Sequence, residues 1–159
     1  MNHPLLILRD VTERDLATFF TQQQDPEANQ MAAFTVKDPR DREAFDKRWR
    51  RILQDSTVVI QTILYDQEVA GSILRYQSEL GPEVSYWLGR EFWGKGIATN
   101  ALAMFLDAQC ARPSYARVAK DNLASRRVLE RCGFVVISEE RGFAEARQAE
   151  IEELVLRLA

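Results

Sequence analysis

Histidine is nearly absent from this chain of 159 residues, in which His3 is the only one. One histidine near the start excludes Ser-His and Cys-His nucleophile pairs and most zinc sites. Cysteine is also scarce, and Cys110 and Cys132 lack the spacing of metal ligands. We therefore expect two buried, reduced thiols and no metal cofactor.

A basic excess is missing as well. The chain has 21 Lys and Arg residues against 24 Asp and Glu, a formal net charge of -3. A nucleic-acid-binding surface needs cations to displace counterions from phosphates, so no nucleic-acid partner is expected. The basic cluster of Lys47, Arg48, Arg50 and Arg51 is interpreted as a solvated helix face, with an RNA-binding or acidic-partner surface as the alternative.

Long apolar runs are lacking too, since none approaches the 18 residues that suggest a membrane-spanning helix. The first ten residues do not resemble a secretory leader. A cytoplasmic protein without a membrane partner is therefore expected. Apolar residues make up 46% of the chain and charged residues 28%, ordinary values for a globular protein, and the length predicts a single domain over residues 1–159.

Apolar spacing predicts helices over 13–24, behind Asp38-Pro39, over 97–110 and after Asn122, and strands over 5–8, 57–65, 68–76, 83–88, 115–119, 134–140 and 150–158. The segment between the first two helices is predicted to be a loop. The order β-α-α-β-β-β-α-β-α-β-β indicates an α/β fold (α+β, mixed sheet) with helices on its faces. Because a helix joins the strands at Val84 and Tyr115, these two should run parallel.

The most informative stretch is the glycine loop, which we define as residues 93–99, Trp-Gly-Lys-Gly-Ile-Ala-Thr. Alternate glycines let backbone N–H groups approach an anion, and the free N–H groups of the next helix point at the same place. The alternative is a glycine turn of purely geometric origin. The Walker A and dinucleotide-binding patterns both fit poorly, since Thr99 stands where the latter needs Gly or Ala.

Two motifs in the segment from Tyr86 to Phe134 resemble the GNAT acetyltransferases, particularly the ribosomal-protein N-acetyltransferase branch. The glycine loop is similar to the family's Q/R-x-x-G-x-G/A pattern except at the first position. The run from Asn122 to Ser125, followed by Gly133-Phe134, resembles the family's N-x-x-S and G-F helix. The resemblance implies a GNAT-like fold with two splayed parallel strands and acetyl-CoA as the acetyl donor.

The resemblance also implies a binding site for that donor. Pantetheine would lie between the splayed strands against backbone groups of Trp87 and Leu88. Asn122 would bind pantetheine or serve as a plain helix N-cap, and Ser125 and Arg127 would line the cofactor or belong to an ordinary helix surface. The pyrophosphate would contact the glycine loop, in which Lys95 is either a rim charge or a solvated lysine: Gly94, Lys95, Gly96, Ile97, Ala98 and Thr99.

Acetyl transfer needs a neutral amine, a stabilised oxyanion and a departing thiolate. Glu83 and Ser85 share one face of their strand, where they could hold a water that carries the amine proton. Glu83 is the candidate general base, with a solvated glutamate as the alternative, and the resemblance assigns the oxyanion to a backbone N–H near Leu88. Many GNAT enzymes have a proton-donating tyrosine where this chain has Leu129.

The sequence therefore predicts an acetyl-CoA-dependent N-acetyltransferase that acts directly on a primary amine, at a protein N-terminus or on a small molecule. The alternative is a non-catalytic acyl-CoA-binding module of the same fold, and a nucleotide-binding module is a more distant one. The identity of the acceptor and the question of a homodimer stay open.

Overall fold

The computed structural model describes residues 4–109 and 112–159. Seven strands form one mixed sheet in the order β1-β2-β3-β4-β5-β7-β6. The strands are β1 (Leu6–Asp10), β2 (Val59–Tyr65), β3 (Glu68–Ser78), β4 (Gly81–Leu88), β5 (Ser114–Ala119), β6 (Val135–Ala144) and β7 (Ala149–Leu158). The helices are α1 (Glu13–Gln23), α2 (Pro26–Ala32), α3 (Arg42–Gln54), α4 (Ile97–Gln109) and α5 (Leu123–Arg131). This confirms the predicted mixed α/β fold.

Helices cover both faces of the sheet. Phe19 of α1 packs with Phe45 and Trp49 of α3 on one face. On the other face α4 buries four apolar side chains against the sheet, and α5 adds Leu129 to the same core: Ala101, Leu102, Phe105 and Leu106. These four are the positions that helical spacing predicts to face inward. No helix within the two described ranges is long and apolar enough to cross a membrane.

The neighbouring strands β4 and β5 run parallel, as predicted, but they pair only between Glu83 and Tyr115. The other edge of β4 is paired with β3 along its length, from Gly81 to Leu88. Beyond Glu83, the backbone groups on the β5 side of β4 therefore have no strand partner. This opening is the splay that the resemblance implied.

Two local predictions are wrong. The segment predicted to be a loop contains α2, which begins behind Asp25, whose carboxylate accepts the Glu27 amide at 3.0 Å. The next helix starts later than predicted, at Arg42, because the Asp41 carboxylate accepts the Ala44 amide at 3.0 Å. The chain thus has three helices, not two, between β1 and β2.

The cysteine prediction is borne out in part. Cys132 is a free thiol, but it is half-buried, with its Sγ 3.5 Å from the Thr99 carbonyl oxygen. Burial raises the pKa of this thiol, which keeps it protonated near neutral pH. Cys110 and His3 lie outside the described residues.

Candidate active site

The glycine loop follows β4 and leads into α4. Gly94 and Gly96 have φ values of +74° and +75°. This left-handed conformation is strained for a residue that carries a side chain. A Cβ on Gly94 would meet no atom within 4 Å, so the space in front of it is open. The indole nitrogen of Trp93 donates to the Leu88 carbonyl at 3.1 Å and ties the loop to the end of β4. The loop therefore presents backbone to open space at the N-terminus of α4.

A cavity of about 440 Å³ lies in front of this loop, and we call it the loop cavity. Its walls include ten of the eleven residues predicted to contact a cofactor: Trp87, Leu88, Gly94, Gly96, Ile97, Ala98, Thr99, Asn122, Ser125 and Arg127. Arg131 also lines the cavity and was missed by sequence reasoning. Its position one turn after Arg127 is the signal that would have found it. Two segments of the chain thus meet around one space.

Lys95 is the predicted cofactor contact that does not line this cavity. Its ammonium lies 5.7 Å from the centre of the Tyr65 ring, within range of a cation–π interaction. Asn122 is the N-cap of α5, since its side-chain oxygen accepts the Ser125 amide at 3.3 Å. Its side chain is also buried between the two cavities, so the two predicted roles are compatible.

A second cavity of about 560 Å³ lies on the other side of the splay, and we call it the charged cavity. The charged side chains along its wall are Arg48, Glu83, Arg117 and Glu153. Ser85 lines it beside Glu83, as the shared strand face predicts. Among the described residues no group of three or more His, Cys, Asp or Glu side chains is arranged to hold a metal ion.

Glu83 is 4% exposed, so the alternative of a solvated glutamate is wrong. The Tyr76 hydroxyl donates to one of its carboxylate oxygens. The other oxygen, Oε1, lies 3.4 Å from Nε of Arg117 and has no hydrogen-bond partner. Burial, together with the bond to Glu83, raises the pKa of Tyr76 and keeps its phenol protonated. One carboxylate oxygen of Glu83 is thus buried beside Arg117 without a hydrogen bond.

Arg117 is surrounded by carboxylates, which makes this end of the cavity acidic. Its guanidinium contacts Glu79, Glu83, Glu140 and Glu153, the last two at 2.8 and 3.8 Å. Burial raises the pKa of Glu153, and the positive charge of Arg117 partly offsets that rise. Sequence reasoning missed Arg117 and Tyr76, because their strand positions carry no motif.

The two cavities share five wall residues where they meet: Ala32, Tyr86, Trp87, Asn122 and Ser125. At this junction the hydroxyl oxygens of Tyr86 and Ser125 are 3.0 Å apart. Burial raises the pKa of Tyr86, while the bond to Ser125 lowers it. Leu129 is 3% exposed and lines the charged cavity close by. The phenol of Tyr86 therefore lies at the junction, although the α5 position where many GNAT enzymes have a tyrosine is Leu129.

The sequence model of the acetyltransferase (GNAT) domain matches residues 6–135. This match covers most of the chain, so the protein belongs to the GNAT acetyltransferase family. A curated relative from Bacillus subtilis (strain 168), "Putative ribosomal N-acetyltransferase YdaF", is 34% identical over 101 residues. That alignment covers 59% of this chain and 55% of the relative, so the chain matches little more than half of the relative's length.

Solved structures resemble the whole sheet. Mycobacterium smegmatis RimJ, in complex with CoA-disulfide, superposes with a TM-score of 0.80 at 25% identity, over 96% of this chain and 81% of that one. Vibrio cholerae spermidine N-acetyltransferase, in complex with CoA and spermine, superposes with a TM-score of 0.77 at 16% identity, over 96% of this chain and 95% of that one. At so low an identity the second likeness concerns the fold alone.

Proposed function

We propose that this protein is an N-acetyltransferase that moves an acetyl group directly from acetyl-CoA to a primary amine. The observation that carries the proposal is the meeting of two unlike cavities at one junction in the splay. One cavity is walled by a glycine loop and a helix N-terminus, and the other by a buried carboxylate. Direct transfer needs a donor and an acceptor that approach one point from two sides.

The loop cavity suits CoA. Backbone N–H groups at Gly94, Gly96 and the start of α4 would hold the pyrophosphate, since a helix N-terminus attracts anions. Arg127 and Arg131 in the wall of the same cavity would add positive charge. The unpaired edge of β4 near Trp87 would bind the pantetheine amides as an added strand does. RimJ, at 25% identity, was solved with a CoA disulfide, which supports the same ligand class.

Glu83 is proposed as the group that takes the proton from the attacking amine, directly or through a water held with Ser85. Its buried, unsatisfied oxygen supports this role. An α-amino group with a pKa of about 7.7–8.0 is partly neutral at pH 7.4, whereas a lysine at about 10.4 is neutral roughly once in a thousand molecules. The help of a base therefore matters most for lysine-like acceptors. A backbone N–H near Leu88 would meet the oxyanion.

The departing thiolate has a proton donor available at the junction. The hydroxyl pair of Tyr86 and Ser125 supports a proton transfer there, in place of the tyrosine that the family has at the position of Leu129. A thiol with a pKa of about 8.5 leaves as an anion at a deficit of only ~2 kcal/mol at neutral pH. Water is therefore an adequate second source of this proton.

The acceptor class is proposed as a primary amine at a protein N-terminus or on a small molecule. The name of the curated relative, "Putative ribosomal N-acetyltransferase YdaF", supports the protein N-terminus among these acceptors. The acidic end of the charged cavity around Arg117 would attract a cationic amine. We further propose that residues 1–159 act as one cytoplasmic domain, as ribosomal-protein acetylation would require.

A thermal shift tests the donor site. A ligand at 100 times its Kd adds about 2.7 kcal/mol to the stability of the folded state, so acetyl-CoA should raise the Tm at millimolar concentration. ATP and NAD serve as controls, and neither should match the effect. A shift with ATP or NAD but none with acetyl-CoA would instead support a nucleotide-binding module.

A further inference from the structure

Arg48 differs from the other basic residues of its cluster on α3. It lies three positions after Phe45 and one before Trp49, on the side of the helix that faces the sheet. All four side chains of the cluster are exposed, but among them only that of Arg48 lines the charged cavity, beside Trp49. The interpretation as a solvated helix face therefore holds for the cluster, and Arg48 is the member that also lines the cavity.

The Arg48 guanidinium has no carboxylate partner and no hydrogen bond to protein in the part of the chain that the structure describes. The side chain is exposed to solvent, although the surrounding protein lowers the pKa of the guanidinium by partial desolvation and Tyr76 acts in the opposite direction. An anionic group that enters the cavity would meet there a guanidinium that no carboxylate in the described ranges neutralises.

The cavity thus has two ends of opposite character. At one end Arg117 is paired with several carboxylates, among them Glu83, whose Oε1 makes no hydrogen bond. At the other end Arg48 has no carboxylate partner among the described residues. Tyr76, whose hydroxyl donates to Glu83, lines the same cavity as Arg48. A ligand that carries both a cation and an anion complements this arrangement.

We propose that the acceptor carries an anionic oxygen group, a carboxylate or a phosphate, that Arg48 binds while the amine meets Glu83. The inference rests on the proposed function and names the acceptor class of the same site. A guanidinium suits the task because its planar set of N–H donors matches two oxygens of one anion. An amine without an anion would leave Arg48 unpaired, so the site would discriminate against it.

The test compares acceptors with and without the anion. Three pairs distinguish its source: alanine and alaninamide, a Ser-Glu-Ala and a Ser-Gln-Ala peptide amide, and phosphoethanolamine and ethanolamine. Binding is measured with CoA present through tryptophan fluorescence, because Trp49 and Trp87 line the cavity, and initial rates are measured with acetyl-CoA. The proteins are the parent, Arg48→Gln, Arg48→Lys, and Arg50→Gln as the control from the exposed side of the same helix.

In at least one pair the parent should bind the anionic member about tenfold or more tightly, the scale of a charge-assisted hydrogen bond. Arg48→Gln should erase that preference, Arg48→Lys should restore part of it, and Arg50→Gln should keep it. Equal binding within all three pairs, or a preference that survives Arg48→Gln, would overturn the inference. Arg48-dependent binding without acetylation would reject the proposed function and leave the inference standing.

Discussion

The loop cavity and the charged cavity are built in different ways. The loop cavity draws most of its wall from residues 86–99 and 122–131, and its distinctive part is backbone held by glycines at positive φ. The charged cavity draws side chains from α1, α2, α3, β3, β4, β5, α5 and β7. Backbone recognition thus leaves a local signature in the sequence, whereas recognition by scattered side chains leaves none.

The largest effect should come from a change in the glycine loop. We expect Gly96→Glu to weaken acetyl-CoA binding by about 100-fold or more, or roughly 3 kcal/mol, because it strains a φ of +75° and puts a negative charge near the pyrophosphate. Loss of the acetyl-CoA thermal shift in a folded variant is the measurement. Gly96→Ala, which adds strain without charge, should lose less. Normal binding by Gly96→Glu would mean that the phosphate site is misassigned.

In the charged cavity, Glu83→Gln should lower kcat/KM by about 100-fold, the lower range for loss of a general base. The affinity for CoA should stay unchanged, since Glu83 does not line the loop cavity. Glu79→Gln is the control, because Glu79 also contacts Arg117 but lies outside both cavity walls. Equal loss in the two variants would assign Glu83 a role in balancing Arg117 and not in proton transfer.

The contacts that hold α1, which lines part of the charged cavity, against the sheet should depend on pH. Asp15 is 2% exposed and accepts bonds from Arg9 at 2.7 Å, the Thr12 amide at 2.9 Å and Thr62 at 2.6 Å, which together join α1 to β1 and β2. Burial alone would raise the pKa of Asp15, but these bonds outweigh burial and lower it to about 2.

Asp15→Asn should therefore lower the free energy of unfolding at pH 7 by roughly 2 kcal/mol. A depressed folded-state pKa gives stability that is present above the unfolded pKa of about 3.9 and is lost as the pH falls toward 2. Denaturant unfolding at pH 7 and pH 2.5 checks this, with the exposed Asp46→Asn as the control. If the free energies of unfolding of parent and variant differ equally at both pH values, the pH dependence assigned to Asp15 is wrong.

At the junction of the cavities, Tyr86→Phe should lower kcat by no more than about 30-fold, since a thiolate that leaves at a deficit of ~2 kcal/mol gains little from an acid. Tyr115→Phe, on the neighbouring strand and outside both cavity walls, is the control. Steady-state rates with saturating acetyl-CoA measure the effect. A larger fall in kcat would make proton donation to the thiolate essential.

The smallest effect is expected for Lys95→Gln, at less than about threefold in the Kd of acetyl-CoA. The ammonium lies against the Tyr65 ring and not in the loop cavity, so its exposed charge contributes little after screening. Titration calorimetry at low and physiological salt would measure it. A loss above tenfold would show that Lys95 turns to the ligand on binding.

The sequence was sufficient for some features that depend on neighbouring residues, but not for all of them. The backbone conformation of the glycine loop and the buried side of α4 follow from glycine chemistry and apolar spacing, and both agree with the structure. The helix α2 was missed because seven residues show too little periodicity, although Asp25-Pro26 is a valid N-cap signal. The start of α3 was misplaced because Asp38 and Asp41 are rival caps.

The charged cavity could not have been assembled from the sequence. Tyr76 and Glu83 are brought together by the register of β3 on β4, and Arg117 joins them only because β5 pairs with β4 at that end. Burial of Glu83 follows from this pairing, and a glutamate near the start of a strand gives no hint of it. The pairing of strands that are distant in sequence, not local propensity, brings the polar side chains of the charged cavity together.

The central claim is that the two cavities serve one reaction, and release of free CoA thiol tests it most directly. The protein is incubated with acetyl-CoA and a panel of primary amines and N-terminal peptides. Thiol release should require both the amine and an intact Gly96, and mass spectrometry should find one acetylated amine for each thiol released. Tight binding of acetyl-CoA without amine-dependent thiol release would contradict the account and define a non-catalytic acyl-CoA-binding module.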